Sequence, residues 1–167
     1  MKSSYVQYGC GFSVASGTNW RNFDASPTLR FERLPIFGRF YTKNSSRFPL
    51  NVEYGDIVVG LPFNGSVKGA YCSHILEHLS LKDCEIGLQN TYEMLVSGGC
   101  FRLVVPDLEY LANTYVNNQS DDASMNFMME SDLGRKSRSR GLKDLASAWL
   151  GNSQHLWMWD YKSMKKQ

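Results

Sequence analysis

The stretch VKGAYCSHILEHLSLKDCEIGLQNTYEMLVSGGCFRLVV, residues 67–105, decides the fold. It begins with a short apolar run at 67–73 and ends with a second one at 101–105. Such runs, bounded by turn residues, predict buried strands. Apolar side chains between them recur every three or four residues and predict one face of a helix, which Gly98-Gly99 would end. This face comprises Leu81, Cys84, Leu88, Tyr92 and Leu95.

A strand, a helix and a strand in this order predict a right-handed parallel crossover. Further strands are predicted at 5–8, at 19–23 and ending at Gly55-Asp56, and a second helix begins near Leu108. We therefore expect an α/β fold with a Rossmann-like, mostly parallel open sheet and helices on both faces, in three layers. The segment 29–48 has no clean period and is predicted to be a mixed connection.

The composition limits the classes of function. The chain has 167 residues, 43% hydrophobic and 20% charged, which predicts a single globular domain over residues 1–167. A net charge of +2 does not favour a nucleic-acid partner. Neither a membrane-spanning run nor a signal-peptide core is visible in the sequence, so we predict a cytoplasmic protein with no membrane partner. The four cysteines form no CxxC pair and are predicted to be structural.

An open parallel sheet binds ligands in the crevice at the carboxyl ends of its strands. Gly9 and Gly11 follow the first predicted strand, where residues without Cβ let a ligand lie against backbone amides. Asp24 ends the second strand, where a carboxylate can accept both ribose hydroxyl hydrogens, and Asp56 ends the third. The alternatives are a tight turn for the glycines and an Asx turn or helix cap for each aspartate. Together these residues predict a site for a nucleoside-bearing cofactor.

Five stretches of the chain occur in an order that can be compared with that of known families. They are YVQYGCGF (5–12), NWRNFDAS (19–26), GLPFNGSV (60–67), YCSHILEHL (71–79) and VSGGCFRLVVPDLEYL (96–111). This order resembles the class I S-adenosylmethionine-dependent methyltransferases of the small bacterial type called methyltransferase type 11, as does the late HLWMWDYKSM (155–164). The resemblance implies methyl transfer from S-adenosylmethionine to a small acceptor such as a saccharide or metabolite, with S-adenosylhomocysteine as the product.

The resemblance also implies which residues face each part of the cofactor. His74 would remove a proton from the acceptor, as the catalytic residue. The alternative for His74 is a histidine bonded to backbone at a strand end. The implied cofactor-binding residues are Gly9 and Gly11 for the methionine part, Asp24 for the ribose, Asp56 and Ile57 for the adenine, and Ser73 and His74 near the sulfonium and the acceptor. Cys10 and Ala25 are further implied cofactor-binding residues.

The run HILEH, residues 74–78, also matches a zinc-protease pattern. That pattern needs His74 and His78 one turn apart on one helix, Glu77 as the base and a third ligand far along the chain. His74 directly follows a predicted strand, and the resemblance implies that this run binds no zinc. We therefore predict no metal site, and a zinc hydrolase stays the third alternative.

The C-terminal half departs from the resemblance. After residue 164 the family pattern implies another helix and two strands, and Lys68 stands where that family usually has an acidic residue. Without those strands the fifth strand is a sheet edge. We predict that residues 126–159 or a second copy of the chain, as a homodimer, cover this edge.

Two features near the end of the chain have competing interpretations. The basic run RKSRSR, 135–140, is either a solvated loop or a docking surface for an acidic acceptor. His155 either lines an acceptor pocket or belongs to a core with Trp157 and Trp159. Two functions follow: an active methyltransferase, or a degenerate methyltransferase-like fold that serves as a protein-interaction module.

Overall fold

The computed structural model describes residues 4–36, 38, 46–134 and 154–167. They belong to two compact units, each described by itself. The first, the sheet unit, comprises Met1–Ser73 and Asp83–Val104. The second, the C-terminal unit, comprises His74–Lys82 and Val105–Gln167. The basic run at 135–140 lies outside the described residues, and the single domain stays a prediction.

The sheet unit contains a five-stranded, all-parallel sheet in the order β3-β2-β1-β4-β5. This order confirms the predicted Rossmann-like α/β class. The strands are β1 (Tyr5–Tyr8), β2 (Trp20–Asp24), β3 (Val52–Tyr54), β4 (Val67–Ser73) and β5 (Leu95–Val104), and the helices that connect them are α1 (Pro27–Glu32) and α2 (Leu81–Met94).

The strand order reverses between β1 and β4. From β1 the chain builds outward through β2 to β3 on one side, whereas β4 and β5 extend the sheet on the other side. Because parallel crossovers are right-handed, α1 and α2 then cover opposite faces of the sheet. A reversal of this kind opens a ligand crevice at the carboxyl ends of the two central strands. The ends of β1 and β4 are residues 8 and 73.

The core of the sheet unit covers both faces of its central strand, β1. In β1, residues 6–8 are all buried, so side chains on both faces of the strand are covered. Helix α1 begins at Pro27 behind the N-cap Ser26, whose hydroxyl accepts a hydrogen bond from the amide of Thr28. One cluster of buried side chains joins the loops to this helix: Cys10, Leu29, Phe48 and Val52.

The buried face of α2 differs from the predicted one. Its buried residues are Cys84, Gly87, Thr91 and Met94, whereas the side chain of Tyr92 is 76% exposed. The Thr91 hydroxyl donates to the Gly87 carbonyl and lies 3.1 Å from the Tyr8 hydroxyl. Burial raises the pKa of Tyr8, so its hydroxyl stays protonated as a donor to Thr91. Cys84 is buried as predicted, whereas the later buried positions, 87, 91 and 94, each lie one residue before the predicted 88, 92 and 95.

Strand β5 is longer than predicted, and Gly98-Gly99 does not end α2. The helix stops at Met94, and β5 begins at Leu95, which pairs with Val67 of β4. A register shift between Val67 and Gly69 accommodates the extra residues. β5 lies at the edge of the sheet, as expected. Residues 135–153 of the segment expected to cover it lie outside the described part, and both the cover and the homodimer stay predictions.

The described part of the C-terminal unit contains four short helical elements. They are a 3-10 turn at Leu76–His78, α3 (Leu108–Asn117), α4 (Ala123–Glu130) and α5 (Tyr161–Met164). The Asp107 side chain caps α3 by accepting from the amide of Glu109, and Asp107 forms a parallel β-bridge with Trp159. The Trp159 carbonyl also accepts from the amide of Leu108 at 2.7 Å. Among the described helices, none is long and apolar enough to cross a membrane.

Candidate functional site

The turn after β1 has the backbone geometry that its glycines predict. Gly9 and Gly11 have φ angles of 63° and 53°, in the left-handed region that favours glycine. A Cβ built on Gly11 would meet no described atom within 4 Å, so one face of this turn is open. Between them Cys10 is buried, and burial, followed by the nearby carboxylate of Asp24, raises the pKa of its thiol to about 12. The thiol is therefore neutral at physiological pH and packs as an apolar group.

Asp24 fastens this turn to the next loop. Its Oδ2 accepts the amide hydrogen of Gly11 at 2.8 Å, and its Oδ1 accepts that of Ser26, also at 2.8 Å. The second bond is the Asx turn that was the alternative for this residue, while Ser26 takes the role of helix cap. A carboxylate accepts about four hydrogen bonds. Two such positions on Asp24 are therefore left for a ligand.

Two buried polar residues that the sequence analysis missed hold the rest of the glycine loop. Gln7 and Asn22 are 6% and 1% exposed, on adjacent strands β1 and β2. Both side-chain oxygens accept the amide hydrogen of Ala15, at 2.7 and 3.0 Å. Their amide groups donate to the carbonyls of Ser13 and Ala15. A Gln and an Asn paired across two buried strands were the available signal, since buried amides need partners.

The loop after β3 is a compact turn. Asp56 Oδ1 accepts from the amide of Val58 at 2.9 Å, which is the turn predicted as the alternative for this residue. Ile57 is buried, and its carbonyl accepts from the Asn90 side chain at 2.7 Å. The amide of Gly55 donates to the Asp24 carbonyl, so the loops after β2 and β3 run side by side.

The predicted cofactor-binding residues of the sheet unit therefore lie along one edge of the sheet. The loops after β3, β2 and β1 are consecutive there because the strands are neighbours, and half-buried Ser73 ends β4, on the other side of β1. Direct hydrogen bonds join the Gly11 and Asp24 loops, and the Asp24 and Gly55 loops. The arrangement offers a carboxylate with spare acceptor capacity, which suits a ligand that carries a sugar diol.

His74 belongs to the C-terminal unit and has unusual geometry. Its φ of 55° is rare for a residue with a side chain, and such strain clusters at functional sites. Its side chain is 61% exposed, with Nδ1 lying 3.2 Å from Oε1 of Glu77. The two atoms do not form an aligned hydrogen bond, and neither oxygen of the buried Glu77 has a hydrogen-bond partner among the described residues.

The other two histidines lie around the same carboxylate. His78 Nδ1 lies 3.0 Å from the carbonyl oxygen of Gln154, and His155 Nε2 lies 4.0 Å from Glu77 Oε1. The Glu77 carbonyl accepts from the amides of Leu156 and Trp157, at 2.7 and 3.1 Å, which fixes the 154–157 segment against the HILEH turn. One ligand atom each of Glu77, His78 and His155 lie within 4.8 Å of one another. The chain has three histidines, and all of them meet at Glu77.

The comparisons with known proteins found a likeness only among solved structures. No protein-family model matches the sequence, and no curated protein matches it. A solved structure with some likeness is the complex between the Haloferax volcanii Trm112 methyltransferase activator and a protein assigned as a methyltransferase. The match has 20% identity and a TM-score of 0.40, and it covers 61% of this chain and 45% of the solved chain, less than half its length. The α/β class follows from the strand order itself.

Proposed function

We propose that the loops after β1, β2 and β3 bind S-adenosylmethionine and that the protein transfers its methyl group to a small acceptor such as a saccharide or metabolite. The observation that carries this proposal is the Gly9–Gly11 turn, fastened by Asp24 at the point where the strand order reverses. The motif order found in the sequence supports the same cofactor.

The residues at this edge fit the cofactor. The open face of Gly11 leaves room for the methionine part to lie against the backbone. The remaining lone pairs of Asp24 suit a diol, because a carboxylate only accepts and two hydroxyls both donate. Asp56 and Ile57, on the adjoining loop, are proposed to contact the adenine, and Cys10, Ala25 and Ser73 to line the site. When bound, the cofactor supplies an electrophilic methyl group on a sulfonium.

The protein's own part in such a reaction is alignment and proton removal. In-line transfer needs donor and acceptor held in register, and the loop locked by Gln7 and Asn22 provides a rigid backbone for this. His74 is proposed as the base. Its Nδ1 faces Glu77, so Nε2 is the nitrogen proposed to accept the proton.

The proposed cofactor site can be tested with two glycines that share a left-handed backbone conformation but lie in different loops. Gly11 and Gly65 have φ angles of 53° and 51°, and a Cβ on either would meet no described atom within 4 Å. Gly11→Ala and Gly65→Ala should each lower the free energy of unfolding by about 1–2 kcal/mol, the cost of the left-handed backbone. In calorimetric titration with S-adenosylhomocysteine, only Gly11→Ala should weaken binding, by about 10-fold or more (about 1.4 kcal/mol).

The outcomes separate the two functions. The proposed methyltransferase is supported if the wild-type protein and Gly65→Ala bind S-adenosylhomocysteine equally and Gly11→Ala binds it more weakly. Equal binding by all three would place the ligand elsewhere and overturn the site. A folded wild-type protein that binds neither S-adenosylmethionine nor S-adenosylhomocysteine would retire the enzyme and favour the protein-interaction module.

A further inference from the structure

We propose that Glu77, His78 and His155 form a binding site for one divalent first-row transition-metal ion, with zinc as the type ion. The site is built entirely from the C-terminal unit and does not depend on the proposed methyl transfer. It uses the three residues whose ligand atoms lie within 4.8 Å of one another. It therefore differs from the prediction, from sequence, that the chain has no metal site.

The state of Glu77 is the first reason. Its side chain is 0% exposed, and neither carboxylate oxygen has a hydrogen-bond partner in the described structure. A carboxylate in such a place is costly unless it is paired with a cation or coordinates a metal. The groups around it are imidazoles, which are neutral when they act as metal ligands. A bound dication would supply the missing charge and satisfy the oxygen atoms.

The orientation of the two imidazoles is the second reason. The His78 Nδ1 atom lies 3.0 Å from the Gln154 carbonyl, so that it carries the hydrogen and leaves Nε2 with its lone pair for an ion. Histidines that bind metals usually donate their other N–H to a carbonyl or carboxylate in this manner. The His155 side chain is 6% exposed, with Nε2 4.0 Å from Glu77 Oε1, and its buried Nδ1 has no hydrogen-bond partner among the described residues. The Asp132 carboxylate, 3.8 Å from the same Nε2, adds negative charge.

The third reason is that the backbone holds the ligands together. The two hydrogen bonds from Leu156 and Trp157 to the Glu77 carbonyl place His155 beside the HILEH turn. The distances between ligand atoms are somewhat longer than around a bound ion, since metal–ligand bonds of about 2.0–2.2 Å keep the ligand atoms closer to each other. Binding would draw the three side chains inward by a small movement. The backbone of the HILEH turn and of residues 154–157 would not need to move.

The ligand set selects the class of ion. Two imidazoles and one carboxylate suit zinc and its first-row neighbours, whereas magnesium and calcium prefer oxygen ligands. Three protein ligands leave one coordination position open, the arrangement of zinc sites that bind water or a substrate oxygen. The set also departs from the zinc-protease pattern: Glu77 is a ligand rather than the base, His155 replaces His74, and His74 stays outside the trio.

The test is metal binding by the full chain after treatment with a chelator. Zn²⁺ should bind with one equivalent and raise the melting temperature, Co²⁺ should give visible absorption bands, and Mg²⁺ should do neither. Glu77→Gln, which keeps shape, and His155→Ala should each weaken Zn²⁺ binding by more than about 100-fold, since changes outside the ligand shell alone cost about 10–100-fold. The matched control, His74→Ala, removes a neighbour of Glu77 but no ligand and should keep the affinity within a few fold.

Some results would overturn the site. A folded wild-type protein that takes up no Zn²⁺ would refute it. Loss of Zn²⁺ binding in His74→Ala with retention in His155→Ala would instead support the zinc-protease pattern, the third alternative from sequence. If the variants do not fold, NMR of the wild-type imidazoles decides: Zn²⁺ should shift the ring nitrogens of His78 and His155, and shifts confined to His74 would contradict the proposal.

Discussion

Replacing Trp159 with alanine is expected to lower the free energy of unfolding by about 3–5 kcal/mol, the usual cost of removing a buried aromatic side chain. Trp159 is 1% exposed and heads the fully buried side chains of the described structure in size. Its backbone pairs with Asp107 and accepts the amide hydrogen of Leu108. The variant would leave a large cavity where the C-terminal segment joins the start of α3.

The control is the neighbouring tryptophan. Trp157 is 42% exposed, with its ring 6.0 Å from that of Trp159, so Trp157→Ala should cost less than about 1.5 kcal/mol. Urea unfolding curves with a common slope would compare the two. Because Trp159 anchors the segment that carries His155, Trp159→Ala should also weaken Zn²⁺ binding. Equal costs for the two variants would show that the segment is not anchored as described.

Replacing Asp24 with alanine is expected to lower the free energy of unfolding by about 2–4 kcal/mol, because it removes two charge-assisted hydrogen bonds from a residue that is 8% exposed. The amides of Gly11 and Ser26 would both lose their partner. Asp56→Asn is the control: this half-buried residue accepts one side-chain bond, from Val58, and an amide oxygen can keep it. Its cost should stay below about 1 kcal/mol.

Asp24→Ala should also abolish measurable binding of S-adenosylhomocysteine, but that loss alone has two explanations. The carboxylate could contact the ribose, or the glycine turn could simply come loose. A 2′-deoxy analogue of the ligand separates them. If Asp24 holds the diol, the analogue should bind the wild type about 10-fold or more weakly, and the difference should vanish in Asp24→Asn. If the wild type and Asp24→Asn discriminate equally against the 2′-deoxy analogue, Asp24 only holds the glycine turn and does not contact the ribose.

The sequence was sufficient for the elements that are buried on both faces. β1 at 5–8 and β4 at 67–73 have the predicted bounds. Short apolar runs that end at Gly or Ser are too short for a buried helix and therefore indicate buried strands. The predicted start of β5, residue 101, is six residues later than the observed start, Leu95. Gly98-Gly99 is typical of a helix end, and the sequence alone does not show that these residues lie within a strand that pairs with β4. The apolar pattern also predicted that Tyr92 is buried, whereas the neighbouring Thr91 is buried instead. The hydrogen-bond partner of Thr91 is Tyr8, which is 83 residues away in the sequence and could not be predicted from the local pattern.

The candidate site shows the same division. Gly9, Gly11, Asp24 and Asp56 could be placed at the strand ends because turn chemistry is local. That Asp24 fastens the turn through the Gly11 amide required the register of β1 against β2. The cluster at Glu77 was beyond prediction for a stronger reason. HILEH and HLWMW lie far apart in the sequence, and only the folded backbone brings His155 to Glu77.

The most direct test of the central claim is an NMR titration of the full-length, isotope-labelled protein with S-adenosylhomocysteine, followed at backbone amides. Saturable shifts should centre on Gly9–Gly11, Asp24-Ala25 and Asp56-Ile57, with Gly65 unaffected as the internal reference. Saturable shifts confined to other parts of the chain, or none at all from a folded protein, would contradict a cofactor site at this edge of the sheet.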